Sequence, residues 1–325
     1  MNSMTNTSKD YSIELLRFLA ATCVVFVHIP IVGVGSFGVD IFFAISGFVM
    51  MLSTEGSSEN FFLKRIIRIV PTYYIFTLAV FSIAMVAPSV LNNTTADFSQ
   101  LVHSLLFVPF DKNGVGHYPI LFLGWTLNYE MYFYLLFALA LMFSPNHKDI
   151  AVTVLLSCIY LFTQSADSLP LAAYSSNLVF EFVLGIIVYQ VYRNKSAIRA
   201  LILISIILFS LVLAKDFDGR FFYSGIGTAL FFYISLYALA KVNLPAYVSV
   251  LGGYSYALYL THPYVIQVFD KVFRWFELSI VYQISALILS LIMVNVLAFL
   301  VWQRLEVPMI AYLRRRVLGK KLKLF

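Results

Sequence analysis

The sequence predicts an all-α membrane protein, a bundle of about ten transmembrane helices with both termini in the cytoplasm. Three observations carry that expectation. Of the 325 residues, 61% are hydrophobic and 12% charged, and the mean hydropathy is +0.88. Soluble domains carry roughly 25% charged residues, and a water-soluble fold of this length could not hide so much apolar surface. The apolar runs are mostly unbroken over about 15–25 residues, the length of a bilayer-crossing helix and not of an alternating barrel strand. Lys and Arg gather on one side of those runs. This composition excludes disordered, fibrous and disulfide-framed classes. The net charge of +6 and the isoelectric point of about 9.1 do not point to nucleic acid. The cations lie in short loops, where they set topology and meet anionic lipid.

The runs lie at roughly 11–33, 39–53, 70–90, 120–143, 150–167, 172–192, 199–215, 221–240, 248–269 and 279–304. The second is short for a hydrocarbon core of about 30 Å, so it is tilted, broken or buried among neighbours. Segment 98–110 is apolar but brief and is expected at the interface or capping the bundle. The first run begins near Tyr11, contains Glu14 and Arg17, and has no convincing small-residue cleavage site. It reads as a retained span and not a signal peptide. With the N-terminus inside, Lys112, Lys215, Arg220, Lys271 and Arg274 fall outside, Arg17 is intramembrane, and every other Lys and Arg falls inside. The longest outer loop is 91–119. Residues 1–325 read as a single transmembrane domain, with 1–10 a cytoplasmic end and 314–325 a basic cytoplasmic tail that anchors topology. Cys23 and Cys158 both sit in apolar runs, a pattern that offers neither a disulfide frame nor metal spacing.

An ionisable group in hydrocarbon costs about 2.5–3.5 kcal/mol on insertion scales, so each one asks for a reason. Glu14, Arg17 and His28 are in the first span, Asp40 opens the second, Glu130 is in the fourth, Glu181 in the sixth and His262 in the ninth; Glu306 follows the tenth. Arg17 and His28 are separated by about three helical turns plus ~20°, so they share one helix face about 16.5 Å apart along the axis. A cation at one depth and an imidazole at another could line a path across the membrane. The alternative is a snorkelling arginine and a hydrogen-bonded packing histidine.

In GVDIFFAISGF (38–48), Ser46 and Gly47 permit close backbone approach, a packing feature as readily as a functional one. In FFLKRIIRIVPTYY (61–74), Arg65 and Arg68 are three apart, which suits a phosphate-bearing ligand, while basic inner loops are also what topology demands; Pro71 is expected to open the next span. WTLNYEMYFY (125–134) places Trp125, Thr126, Asn128 and Glu130 among aromatics, where Glu130 must be neutral or paired. His262 precedes Pro263, which removes a backbone donor and is expected to break the helix near the outer side.

Taken in order, these motifs resemble the acyltransferase 3 family, integral-membrane acyltransferases of bacterial surface sugars. The resemblance rests on Arg17 and His28, the 38–48 stretch, Arg65 and Arg68, the Trp125-Thr126-Leu127…Glu130…Phe133-Tyr134 motif, Phe182 and Gly185, Tyr256 with His262 and Pro263, and Glu306 with Pro308. It implies a ten-helix domain of the bacterial inner membrane that takes an acyl group, usually acetyl, from cytoplasmic acyl-coenzyme A, without a metal. The implied acceptor is a hydroxyl of a polysaccharide or lipid-linked oligosaccharide. The chain is similar to stand-alone members that lack a fused SGNH hydrolase-like domain. On this resemblance His28 and Arg17 are the central catalytic candidates, with Asp40 or Glu130 orienting His28. Arg65, Arg68, Arg17 and Trp125 are the donor-binding candidates, and His262, Tyr256 and Glu181 the acceptor side. His28 would act as general base or as a transient acyl carrier. A transporter or flippase is the competing reading, since buried charges also suit a substrate path, although no internal repeat is visible.

Overall fold

The computed structural model describes residues 7–29, 32–91, 94–112, 116–165, 169–276 and 280–319. In chain order its helices are α1 (Thr7–Val27), α2 (Phe37–Ser53), α3 (Phe61–Val86), α4 (Phe98–Leu105), α5 (Gly124–Phe143), α6 (Lys148–Thr163), α7 (Leu169–Ala172), α8 (Val179–Tyr192), α9 (Ala197–Ala214), α10 (Ile226–Leu239), α11 (Tyr247–Gly253), α12 (Ser255–Phe276), α13 (Ile280–Val301) and α14 (Val307–Leu318). There is no strand among the described residues. Two π-turns, Phe221–Gly225 and Trp302–Glu306, lead into α10 and α14. The N-terminal end before Thr7 and the basic tail beyond Gly319 lie outside the described residues.

Among the described residues, five stretches are long and apolar enough to cross a membrane: Phe61–Val86, Gly124–Phe143, Ala197–Ala214, Phe221–Leu239 and Leu287–Leu318. Two shorter apolar helices, α2 and α8, accompany them. Many of the large side chains they leave exposed are apolar, among them Leu201, Leu208 and Phe209 on α9 and Ile292, Met293 and Val296 on α13. A soluble protein does not present such faces to water; a bilayer is their solvent. Helices α1 and α12 fall short of that apolarity because they carry Asp10, Glu14 and Arg17, and Asp270, Lys271 and Arg274, respectively.

The chain divides into two compact units, residues 1–42 with 231–325, and residues 43–230. In the first, α1 packs on α11 and α12, and α12 packs on α13. Its core holds Ala21, Val25, Ala257, Leu258, Val294 and Ala298, small or branched residues that let helix axes approach closely. The Tyr254 hydroxyl donates to Asn295 Oδ1 at 3.1 Å, tying the start of α12 to α13.

In the second unit α6 packs on α5, α8 and α9, and α3 on α4 and α5. Phe182 stacks between Phe43, at 4.5 Å, and Phe133, at 4.4 Å. Around that stack α2 and α8 meet backbone to backbone. A Cβ at Gly47 would run into the Phe182 carbonyl oxygen, and one at Gly185 into the Ala44 carbonyl oxygen. The two motif glycines are therefore reciprocal halves of one crossing.

Three helix limits depart from the sequence expectation. Helix α3 begins at Phe61 and runs through Pro71, and α12 runs through Pro263. A proline deletes one i→i−4 bond, but a transmembrane helix tolerates it where side chains or neighbours re-satisfy the freed carbonyl. The fourth apolar run becomes helical only at Gly124. Residues before it belong to a loop pinned to α4, where the Ile120 N–H donates to Ser104 Oγ at 2.9 Å. Helix α4 is itself capped by Asp97, whose carboxylate accepts from the Ser99 and Gln100 amides. It is held to α3 by Tyr73 and Tyr74, whose hydroxyls donate to the Ser104 and Leu105 carbonyls.

Lys112 anchors the same loop, its Nζ donating to Thr94 Oγ1 at 2.9 Å and to the Pro119 carbonyl at 3.3 Å. Burial pushes its ammonium from the ordinary 10.5 down to about 8. Between those values the unfolded chain binds more protons than the folded one, so this group makes stability rise with pH. Thermal unfolding in detergent is expected to show a midpoint that climbs as pH rises through 8, and Lys112→Met is expected to flatten that climb. Gly185→Val is expected to cost more than the usual 1–3 kcal/mol of overpacking, about, because backbone and not a side chain must yield, read as a lowered melting midpoint.

Candidate active site

His28 stands one residue beyond the C-terminal Val27 of α1. Its Nδ1 lies 2.8 Å from the Val24 carbonyl oxygen and 3.3 Å from His262 Nε2. A carbonyl can only accept, so His28 Nδ1 carries the proton and the basic lone pair of the neutral ring is on Nε2. The same logic fixes His262, whose Nδ1 lies 3.1 Å from the Leu258 carbonyl oxygen. His262 Nδ1–H donates there, and its Nε2 accepts from His28 Nδ1–H. The rings meet edge to face with centroids 5.0 Å apart. His262 is fully buried on α12 and His28 is half-buried.

Pro263 has a part in this arrangement. Lacking an N–H, it leaves the carbonyl of Tyr259, one turn earlier, without its helical donor. The His262 imidazole lies against that carbonyl as well as against Leu258. The His262 ring thus stands beside the carbonyl whose backbone donor the proline removes, while its Nδ1–H donates to the Leu258 carbonyl.

Lower on the same helix, Arg17 Nη1 donates to Glu14 Oε1 at 2.8 Å, both side chains being mostly buried. Glu14 is pressed against α11: a Cβ at Gly252 would collide with its side chain and come within 2.6 Å of its Cα. Arg17 and His28 are thus each engaged by polar groups within the unit and not turned out to lipid. Asp40 is buried on α2, Tyr256 is half-buried on α12, and Glu306 is buried in the π-turn before α14.

In the second unit Arg65 and Glu130 belong to one cluster. Arg65 Nη2 donates to Ser53 Oγ at 2.8 Å, and its guanidinium lies over the rings of Phe61 and Tyr134, 5.6 and 5.9 Å from their centroids. The Tyr134 hydroxyl donates to Glu130 Oε1, which also accepts from Ser46 Oγ at 3.0 Å. Three motifs that are separate in sequence, at Ser46, Arg65 and Glu130–Tyr134, are therefore joined. Arg68 is half-buried on α3. Glu181, 1% exposed, accepts from Arg220 Nη1 at 3.1 Å, an ion pair that ties α8 to the loop before α10. Trp125 lines a cavity of about 280 Å3 with Asn128, Tyr129 and Tyr174. The partnership of His28 with His262 has no sequence signal, the two being 234 positions apart. The donors to Glu130 were partly visible, since Tyr134 is one helical turn away.

Helices with apolar outer faces, enclosing tautomer-locked imidazoles and paired guanidinium and carboxylate groups, define a multi-pass membrane protein with reactive side chains in its interior. The chain belongs to the acyltransferase 3 family and is an acyltransferase, residues 10–302 matching the family model described as an acyltransferase domain. It is 28% identical over 284 residues to the exopolysaccharide production protein ExoZ of Rhizobium meliloti (strain 1021), covering 83% of this chain and 89% of that protein. It is also 25% identical over 289 residues to a protein of Acidianus two-tailed virus named "Putative acetyltransferase ORF330", covering 79% of this chain and 84% of that one. No solved structure matches the chain.

Tyr134→Phe withdraws one of the two donors to Glu130 Oε1, leaving Ser46, and is expected to cost about 1 kcal/mol, the net worth of one hydrogen bond. Adding Glu130→Leu should recover part of that loss, and thermal midpoints of the two variants and the double variant measure the coupling.

Proposed function

We propose that the chain moves an acetyl or other short acyl group from cytoplasmic acyl-coenzyme A to a hydroxyl of a cell-surface polysaccharide or its lipid-linked precursor. It would do so in the bacterial cytoplasmic membrane, as a bundle of about ten spans with both termini inside. The observation that carries this reading is the tautomer of His28: Nδ1–H is committed to Val24 and His262, so the proton-accepting nitrogen is Nε2. A relative named for exopolysaccharide production supports the choice of acceptor, and one named as an acetyltransferase supports the acyl group.

In the reaction, His28 Nε2 takes the acceptor hydroxyl proton, the oxygen attacks the thioester carbon, the carbon–sulfur bond breaks, and the proton passes to the departing thiolate. An imidazole suits that exchange because one ring nitrogen can take up the proton and give it back. An acyl-imidazole intermediate on the same nitrogen reaches the same products in two steps. His262 is the positioning residue, accepting from Nδ1–H and so supporting the imidazolium that forms. Arg65, Arg68 and Arg17 are the candidates for the donor's phosphates, since guanidinium forks match phosphate oxygens. The axial distance of about 16.5 Å from Arg17 to His28 is comparable with an extended pantetheine arm, which would deliver the thioester along α1. Asp40 and Tyr256 fall to shaping the reaction space in the first unit; in the second, Glu130 falls to holding Tyr134 and Ser46 together, and the Glu181–Arg220 pair to holding α8 in place.

Purified protein supplied with labelled acetyl-coenzyme A and deacetylated exopolysaccharide tests the reading. Release of free thiol coupled to labelled polysaccharide is expected, and His28→Ala should abolish both while inserting and melting like the parent. Arg17→Ala should mainly raise KM for the donor. His262→Ala should lower kcat and displace its pH profile while leaving the donor KM near that of the parent. Vectorial movement of oligosaccharide in liposomes with no thiol released would establish a transporter instead.

A further inference from the structure

The cavity lined by His117, Trp125, Asn128, Tyr129 and Tyr174 is bordered by two residues with unanswered polar atoms. Asn128 is 4% exposed and lines it, and its Oδ1 has no hydrogen-bond partner among the described residues. His117 lines it from the loop, and its buried Nε2 likewise has none. A buried, orphaned polar atom costs about 1–3 kcal/mol, so two on residues that line one space ask for a ligand. Most of the remaining wall is aromatic, from Tyr118, Trp125, Tyr129 and Tyr174, with Pro109, Gly116 and Ala173 completing it. Trp125 and Tyr129 stand at 90° with centroids 6.2 Å apart, and Tyr129 and Tyr174 at 82° and 6.1 Å. The Tyr129 hydroxyl is spent on the Ala173 carbonyl at 2.5 Å, which fixes its ring as a wall.

The chemistry of the occupant follows from that lining. None of the lining side chains is Lys, Arg, Asp or Glu, so nothing there answers a phosphate or a carboxylate. The volume of about 280 Å3 is at the small end of ligand pockets, room for one ring system and not for a nucleotide with its phosphates. Right-angled aromatic walls suit an apolar face, while a carbonyl oxygen and an imidazole nitrogen suit hydroxyls at its edge. A neutral pyranose has both in one ring: an apolar C–H face and a hydroxylated rim. A quaternary ammonium, which also favours aromatic boxes, would leave both polar atoms unanswered.

We infer that this cavity binds a neutral sugar ring of the acceptor, with Asn128 and His117 accepting or sharing its hydroxyl protons and Trp125 and Tyr129 packing on its face. The inference rests on the sugar acceptor proposed above and moves Trp125 from the donor side to the acceptor side. It commits only to residues within the second unit, and it gives the loop held by Lys112 a purpose, since that loop carries His117.

Tryptophan emission of the full-length protein in detergent is the readout, titrated with glucose, galactose and N-acetylglucosamine and then with coenzyme A. At least one sugar is expected to quench emission saturably, and Trp125→Phe should remove that response while Trp302→Phe keeps it. Asn128→Ala should weaken the sugar about tenfold, the worth of one buried hydrogen bond, and Asn128→Asp should restore part of the affinity. His117→Gln, a loop change less able to disturb folding, should weaken it in the same sense. Coenzyme A should not displace the sugar. The inference is overturned if none of the sugars quenches, if coenzyme A competes, or if both Asn128→Ala and His117→Gln bind sugar like the parent. Running the titrations on His28→Ala keeps the two proposals separate. Sugar binding there without transfer is expected, whereas a parent protein that binds sugar yet releases no thiol from acetyl-coenzyme A overturns the acyltransfer reaction alone.

Discussion

In hydrocarbon a polar side chain has to find its partner inside the protein, and the carbonyl of Val24 is the partner on which the rest of this structure turns. By accepting from His28 Nδ1–H it decides which nitrogen is basic and which way the ring faces. The second commitment of that proton, to His262, is possible because His262 is itself locked as an acceptor by Leu258. A chain of three donor–acceptor choices, each forced by a carbonyl that cannot donate, thus sets the protonation pattern of two imidazoles without a carboxylate among those three steps. The acceptor that His262 offers to His28 Nδ1–H is a neutral nitrogen, where many catalytic histidines present that proton to a carboxylate.

Polar groups elsewhere obey the same constraint by different means. Arg17 is met by Glu14 on its own helix, Glu130 by two hydroxyls, and Glu181 by Arg220. Glycine makes several of these meetings possible. Gly252 lets α11 lie directly on Glu14, and Gly47 and Gly185 let α2 and α8 touch so that Ser46 stays within reach of Glu130. Close packing and polar satisfaction are one problem here, because a side chain in either crossing would move the donors away from their acceptors.

Much of this was legible in the sequence. Apolar run length and charge gave helices in the right places, and the cost of burying charge singled out Arg17, His28, Glu130, Glu181 and His262. The close approach expected at Ser46-Gly47 is present, as is the pairing required of Glu130. What could not be read was partnership over long separations. Nothing local tells His28 that its neighbour is His262, or Ser46 that its acceptor is Glu130. The prolines misled for a related reason. Pro71 and Pro263 read as breaks because local rules count the lost bond, whereas the helices continue, at Pro263 with a histidine standing against the carbonyl released. His117 carried no signal at all, since a lone loop histidine is unremarkable until the fold sets it over Asn128.

The π-turn at Trp302–Glu306 has a consequence for how this chain can vary. A π-turn accommodates one residue more than an α-helix would, so everything after it is rotated by about 100° relative to an uninterrupted helix. Trp302, the residue that a Cβ on Gly253 would strike, opens that turn and the buried Glu306 closes it. Length is therefore under stricter control here than side-chain identity: shortening the segment by one position would swing the basic residues of α14 to another azimuth, while most substitutions along its exposed side would leave their direction untouched.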